Sequence, residues 1–194
     1  MPSLLFKNDS NSFSEECYRT LRTNLQFSFF DKDLKSIIVT SAGPGEGKST
    51  VISNLALTIA QSGKRVLLID CDLRKPSIHK KFNISNLNGL TNLLVQDKKA
   101  EDVVIRYKQN VDILTSGTIP PNPSEILSSN KMKLFISTCT KEYDFVLMDT
   151  PPVTLVTDAQ ILSSMADGVL YVVCLGKTGI EDAVKGKKLL NNVN

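Results

Sequence analysis

A glycine-rich segment between an apolar run and a helical pattern constrains this chain of 194 residues more than any other feature. It runs from Ala42 to Thr50 and matches the phosphate-loop pattern GxxxxGK[ST], with Ala42 in the first glycine position. Apolar residues 37–39 before it and a helical pattern to about Ser62 supply the strand–loop–helix context that the pattern needs. We therefore predict a nucleotide phosphate site and favour it over an ordinary glycine-rich turn.

The chemistry of phosphate and Mg²⁺ binding explains why each of these residue types occurs in the loop. The N–H groups of a tight glycine-rich turn can face phosphate oxygens, and the positive end of the next helix attracts the same anion. Lys48 would neutralise the β- and γ-phosphates, and the Ser49 hydroxyl would bind Mg²⁺. The predicted nucleotide-binding residues are Gly43, Pro44, Gly45, Glu46, Gly47, Lys48, Ser49 and Thr50.

Two further apolar runs end in aspartates. Residues 66–69 lead into Asp70 and Asp72, and residues 145–148 lead into Asp149. Ligands of open α/β sheets lie beyond the carboxyl ends of the strands, which is where these carboxylates emerge. Mg²⁺ on phosphates needs only a few oxygen ligands, so Ser49 with one or two of the aspartates would be enough. The alternative is that such an aspartate only caps the following turn.

Helix and strand patterns alternate along the rest of the chain. This alternation predicts an α/β fold of the phosphate-loop NTPase kind, a Rossmann-like arrangement of three layers with helices on both faces of a mostly parallel sheet. No repeat or linker interrupts the pattern, so we predict one domain over residues 1–194. The predicted strands are 37–39, 66–69, 111–114, 145–148 and 169–175. The predicted helices are 15–29 with a capping box at Ser12 and Glu15, 48–62, 90–94, 100–107, 130–140, 158–165 and 180 onward, with a loop at 118–124.

Composition narrows the function classes. The net charge of +3 is mild, and no stripe of Lys and Arg is dense enough to track a nucleic-acid backbone. The apolar run at 169–175 is far shorter than a bilayer span, and residues 1–12 do not read as a signal peptide. His79 is the only histidine, which argues against a histidine-based triad or a zinc site. We expect a cytoplasmic chain that reaches a membrane only through a partner.

Taken together, these motifs resemble those of the bacterial tyrosine kinases of the capsule and exopolysaccharide type. In that family the phosphate loop is joined by a strand ending DxDxR, a strand ending DxxP and an ExxRxxR motif on an N-terminal helix. The resemblance runs from about Ser14 to the last residue. The matching residues are Asp70, Asp72 and Arg74, then Asp149 and Pro152, then Glu16, Arg19 and Arg22.

The resemblance implies a kinase that uses ATP and Mg²⁺ to autophosphorylate tyrosines on a neighbouring subunit. It implies a place at the inner face of the plasma membrane, where such kinases work with a membrane adaptor in polysaccharide export. Lys48 would hold the phosphates, and Asp70 would accept the tyrosine proton. The resemblance assigns Mg²⁺ to Ser49, Asp72 and Asp149, and a ring-closing subunit interface to Glu16, Arg19 and Arg22. Spacing alone favours intrahelical pairing of these last three on a solvated face, and only the resemblance points to an interface.

Two features leave other functions open. The family continues past its last helix into a further strand, adenine contacts and a tyrosine-rich tail, whereas this sequence ends at Asn194 with its four tyrosines scattered. We therefore expect either that the sequence is a truncated fragment or that the substrate tyrosines lie elsewhere. The first alternative is an ATPase switch of the cell-division and plasmid-partition type, although Gly43 stands where those proteins carry a signature lysine. The second is a nucleotide-sensing module that docks on a membrane adaptor.

Overall fold

The computed structural model describes Leu4, residues 13–28 and residues 34–193, and it contains one six-stranded sheet. The strands are β1 (Ser36–Ser41), β2 (Val66–Asp70), β3 (Ile105–Lys108), β4 (Val111–Leu114), β5 (Phe145–Asp149) and β6 (Gly168–Val172). They lie side by side in the order β3-β4-β2-β5-β1-β6. All neighbours are parallel except β3 and β4. This confirms the prediction of a mostly parallel sheet.

Helices cover both faces of the sheet because the central strands are apolar on both sides. Ile37 and Leu68 belong to one buried cluster, whereas their chain neighbours Ile38 and Leu67 belong to the other. Within the described residues, no helix is both long enough and apolar enough to cross a bilayer. The helices are α1 (Phe13–Ser28), α2 (Lys48–Gln61), α3 (Ile78–Phe82), α4 (Leu90–Gln96), α5 (Ala100–Val103), α6 (Pro123–Leu127), α7 (Asn130–Glu142), α8 (Asp158–Ser163) and α9 (Ile180–Asn191).

The prediction of a helix over residues 100–107 is wrong in its second half. Helix α5 ends at Val103, and Ile105–Lys108 forms β3, paired antiparallel with β4. Burial alternates along β3, with Ile105 and Tyr107 half-buried between exposed neighbours, which is the period of a strand. Asn110, at a φ of 66°, makes the left-handed turn into β4. A register shift between Arg106 and Lys108 distorts this edge of the sheet.

Other elements also differ from the predictions. Helix α6 begins at Pro123 inside the predicted loop, because proline suits the first turn of a helix. Strand β6 ends at Val172 rather than at residue 175, and the chain then turns back with Thr178 N–H bonded to the Cys174 carbonyl at 2.9 Å. The short helix α3 was not predicted. Helix α1 is present, while Ser12 and Phe29 lie outside the described residues.

A single hydroxyl caps helix α7. The Ser129 side chain accepts a hydrogen bond from the N–H of Met132 at 3.2 Å, at the start of this helix. Because Ser129→Ala leaves that N–H without its partner, we expect it to lower the free energy of unfolding by about 1 kcal/mol in urea titration. Ser128→Ala is the matched control, since its hydroxyl bonds only to the Glu125 carbonyl. Equal losses in the two variants would show that the cap contributes nothing.

Candidate active site

The sheet order brings the predicted site residues together. Strand β5 lies between β1 and β2, so the loop after β1 and the ends of β2 and β5 share one edge of the sheet. Asp70 and Asp149 are register partners at the ends of β2 and β5. A cleft of about 500 Å³ opens beside them. Of the predicted residues, its lining includes Pro44, Gly45, Gly47, Lys48, Ser49, Thr50 and Asp72.

The phosphate loop has the backbone of an anion-binding turn. Gly45 and Gly47 adopt φ angles of 69° and 96°, which glycine reaches without steric cost. Helix α2 begins immediately afterwards at Lys48, so its positive end and free N–H groups point toward the loop. The Lys48 residue is only 8% exposed. The loop can therefore receive a phosphate with both backbone and side-chain donors.

Glu46 braces this loop. One of its carboxylate oxygens accepts the N–H of Gly43 at 3.0 Å, and the other accepts the Thr178 hydroxyl at 2.7 Å. Burial opposes ionisation, but the hydrogen bonds from Gly43 and Thr178 outweigh it, so the pKa of Glu46 lies below its usual value. Glu46 thus shapes the loop from within, and it is not among the residues that line the cleft.

The segment after β6 holds the outside of the loop, which the sequence did not reveal. The Lys177 ammonium donates to the carbonyls of Pro44 and Gly45 at 3.0 and 2.9 Å. Thr178, the partner of Glu46, also accepts the N–H of Cys174 at 3.0 Å. The contacts of Lys177 and Thr178 with the phosphate loop join residues more than 130 positions apart. No pattern in the chain marks Lys177 or Thr178, so only the folded structure identifies them.

Asp70 and Asp72 both bond to nearby backbone. One Asp70 oxygen accepts the N–H groups of Ser77 and Ile78, each at 3.0 Å, and thereby fixes the start of α3. Asp72 accepts the N–H of Lys75 at 2.9 Å. The capping role that the sequence left open is thus present at both residues. Burial, followed by the charge of Asp149, raises the pKa of Asp70.

Asp149 differs from both. It is buried, and neither carboxylate oxygen accepts a hydrogen bond of ordinary geometry from the described residues. Burial raises its pKa, while the nearby Ser49 hydroxyl and Lys48 ammonium act in the opposite direction. A buried carboxylate without a partner is costly. Asp149 is therefore the group in this site that most needs a cation.

The donor set fits Mg²⁺ held jointly with a nucleotide. Among the described residues, no three His, Cys, Asp or Glu side chains are grouped so that they could hold a metal alone. Mg²⁺ usually takes one or two carboxylates together with phosphates and waters. The bare oxygens of Asp149, close to the Ser49 hydroxyl, suit that mode of binding.

Arg74 connects the end of β2 to two helices. Its guanidinium pairs in a bidentate manner with Asp158 at 2.8 and 3.2 Å, and it also donates to the Ser124 hydroxyl at 3.0 Å. Ser124 in turn donates to Asp158 at 2.6 Å. Asp158 is fully buried, whereas the Arg74 side chain is 38% exposed. The sequence did not identify Asp158 and Ser124 as partners of Arg74, because polar residues of these types occur at the start of many helices.

Lys81 adds a further lysine to the cleft beside the loop. Its ammonium donates to the Thr50 hydroxyl at 2.9 Å, and the residue lines the same cleft. Burial lowers the pKa of Lys81, and the charge of Asp149 opposes that shift. The helical position of Lys81 in α3 was not predicted. The cleft is therefore more cationic than the phosphate loop alone implies.

The proposed interface motif lies on α1. Glu16 accepts a hydrogen bond from Arg19 at 3.1 Å on the exposed face, which is the intrahelical pairing that spacing allows. Arg22 instead donates to the carbonyl of Thr58 at 3.1 Å and fastens α1 to α2. The described contacts do not test an interface between subunits, which stays a prediction.

Known proteins are similar to this chain over most of its length. A family model described as an AAA domain matches residues 34–194. The tyrosine-protein kinase YwqD of Bacillus subtilis is 47% identical over 97% of this chain and 80% of its own length. The chimeric protein CapA2B2 has a TM-score of 0.92 at 40% identity, covering 98% of this chain and 84% of that structure. The kinase domain of the Escherichia coli tyrosine kinase ETK has a TM-score of 0.94 at 33% identity, covering 100% and 76%.

Proposed function

The chain belongs to the bacterial tyrosine-protein kinases, with an AAA domain over residues 34–194, and we propose that it phosphorylates tyrosine side chains with ATP. One observation carries the proposal. The buried carboxylate of Asp149, which accepts no hydrogen bond of ordinary geometry from the described residues, lies beside Ser49 and Lys48 of the phosphate loop. This arrangement suits a cation bound to nucleotide phosphates, and phosphoryl transfer depends mainly on such positioning and charge neutralisation.

The reaction needs few groups from the protein. The phenolic oxygen of the substrate forms a bond to the γ-phosphorus while the bond from that phosphorus to the bridging oxygen of ADP breaks. Lys48 and the loop N–H groups bind the phosphates, and Lys81 adds positive charge beside them. Asp70 remains the proposed acceptor of the phenolic proton. Its bonds to Ser77 and Ile78 hold that carboxylate in place.

We assign Mg²⁺ to Ser49, Asp72 and Asp149, directly or through water. When bound, the ion neutralises charge on the transferring phosphates. Two positions support this assignment, since Ser49 is the second residue of α2 and Asp149 is the last residue of β5. Gly43 and Glu46 contribute by shaping the loop, and the other predicted nucleotide-binding residues line the cleft.

The cellular setting follows from the family. We propose a cytoplasmic kinase at the inner face of the plasma membrane that works with a membrane adaptor and regulates capsule or exopolysaccharide synthesis. Subunits of a homo-oligomeric ring would contact one another through Glu16 and Arg19 on the exposed face of α1. Arg22 would support that face indirectly, through its bond to α2. The substrate tyrosines are those of neighbouring subunits or other proteins.

A labelled-phosphate assay tests the proposed activity. The protein is incubated with γ-labelled ATP, Mg²⁺, a tyrosine-rich peptide and a candidate adaptor segment, and phosphotyrosine and free phosphate are both counted. We expect phosphotyrosine to fall by about 100-fold or more in Lys48→Met, because an electrostatic contact to the transferred group is lost. Lys141→Met, on the exposed face of α7, is the matched control and should keep full activity. Free phosphate without phosphotyrosine would instead favour an ATPase switch.

A further inference from the structure

The segment after β6 forms a second support for the phosphate loop, and it lies outside the loop motif. We propose that Lys177 and Thr178 are positioning residues that hold the loop in its phosphate-binding form. The inference rests on the proposed function only in that the loop binds a nucleotide. It concerns how the loop is kept ready and not which group receives the phosphate.

Lys177 controls the direction of two peptide units. Its ammonium binds the carbonyl oxygens of Pro44 and Gly45, and Lys177 itself is not among the residues that line the cleft, so it approaches the loop from the other side. In a planar trans peptide, the carbonyl and the following N–H point in opposite directions. Fixing these two carbonyls outward therefore turns the N–H groups of Gly45 and Glu46 toward the inner side. Those are the donors that a phosphate loop presents to its anion.

Glycine at position 45 leaves room for Lys177 to approach the loop. A Cβ built on Gly45 would lie 2.8 Å from the Lys177 nitrogen, so the flexible end of the lysine side chain would have to move away from its present position. Gly45 also has a φ of 69°, so the loop at this position takes a conformation that favours glycine. Glycine at position 45 thus allows both the positive φ of the loop and the close approach of Lys177.

Thr178 completes the support through Glu46. Its hydroxyl donates to Glu46 at 2.7 Å and accepts from Cys174 N–H at 3.0 Å, so the hydroxyl is used in both directions. Glu46 passes the constraint on to Gly43 N–H at the start of the loop. Lys177 therefore fixes the middle of the loop at Pro44 and Gly45, and Thr178 fixes its start at Gly43 through Glu46.

Affinity for ADP, measured by titration calorimetry, tests this proposal without requiring catalysis. We expect Lys177→Met to bind ADP about tenfold more weakly, since two hydrogen bonds from a charged donor are lost. Lys177→Arg keeps a cationic donor and should recover part of the affinity. Lys187→Met on the exposed side of α9 is the matched control and should bind ADP normally. Thermal unfolding without nucleotide should be nearly unchanged in all three.

Thr178 provides an independent variant pair. Thr178→Val removes the hydroxyl at constant shape and should weaken ADP binding by about threefold, whereas Thr178→Ser retains it and should not. In the kinase assay, Lys177→Met should raise the KM for ATP and leave the KM for the peptide unchanged. Wild-type affinity for ADP in both Lys177→Met and Thr178→Val would overturn this proposal alone. Failure of the wild-type protein to bind ADP would overturn it together with the proposed function.

Discussion

Asp149→Asn is expected to abolish phosphotyrosine formation and, at the same time, to raise the melting temperature of the nucleotide-free protein. Activity should fall by about 100-fold or more, because a carboxylate that binds the cation contributes several kcal/mol to the transition state. Stability should rise by about 1 kcal/mol, because the variant removes a buried carboxylate that accepts no hydrogen bond of ordinary geometry from the described residues and faces Asp70. Such a trade-off is expected where activity needs a group that destabilises the fold.

The same variant has a distinct pH signature. In the fold, burial holds the pKa of Asp149 above its ordinary value of 3.8, so ionisation of this carboxylate opposes folding. The contribution of the group to wild-type stability is full below about pH 4 and is lost as the pH rises through the raised pKa. The unfolding free energy of Asp149→Asn should therefore depend less on pH above 4 than that of the wild type.

Thermal melts with and without Mg²⁺ and ADP, over a pH series, measure both effects. The wild type should gain stability from Mg²⁺ with ADP, and Asp149→Asn should gain much less. Asp112→Asn is a control for general charge loss, since Asp112 bonds to Tyr143 away from the cleft. A nucleotide-free Asp149→Asn protein less stable than the wild type would show that this carboxylate supports the fold rather than a cation.

Arg74→Ala is expected to destabilise the protein by about 3 kcal/mol, whereas Asp158→Asn should cost markedly less. The two partners of this ion pair are not equivalent, because Asp158 is fully buried and the Arg74 side chain is 38% exposed. Among the described residues, removing the arginine leaves this buried carboxylate with the Ser124 hydroxyl as its one remaining side-chain donor. In Asp158→Asn, by contrast, the charged group left without an ionic partner is the Arg74 guanidinium, which is already partly solvated.

Urea unfolding of the two single variants and the double variant separates these contributions. The double variant Arg74→Ala with Asp158→Asn should be more stable than Arg74→Ala alone, because no buried charge remains unpaired. Arg74→Lys should recover only part of the loss, since lysine cannot reproduce the bidentate pairing. Equal and additive losses in the two single variants would contradict this account.

The features that were predictable from the sequence are those that a few neighbouring residues determine. The phosphate loop needs its glycines and Lys48 in fixed succession, and an apolar strand followed by an aspartate places Asp149 at the sheet edge. Parallel strands share that edge, so the approach of Asp70 to Asp149 followed from the fold class. This is why the mostly parallel sheet and the grouping of Lys48, Asp70, Asp72 and Asp149 agree with the structure.

The features that were not predictable depend on contacts between distant segments. Lys177 reaches the loop from 132 residues away, and Arg74 reaches Asp158 from 84. Neither contact leaves a local pattern, because lysine and aspartate occur on any exposed turn or helix start. The β3 hairpin was missed for a different reason. Residues 100–107 contain a helical start and a short strand, and the alternation over Ile105–Lys108 is too brief to outweigh the helical pattern before it.

The irregular pairing of β3 has a consequence for the solution behaviour of the protein. An edge strand with regular free backbone groups is a template onto which a second molecule can add, and this is a common origin of aggregates. Here the register shift between Arg106 and Lys108 breaks that regularity, and both side chains are exposed cations. Addition of a strand from a second molecule onto β3 is thereby disfavoured. We therefore expect that a high local concentration of the protein does not produce aggregates through this edge of the sheet.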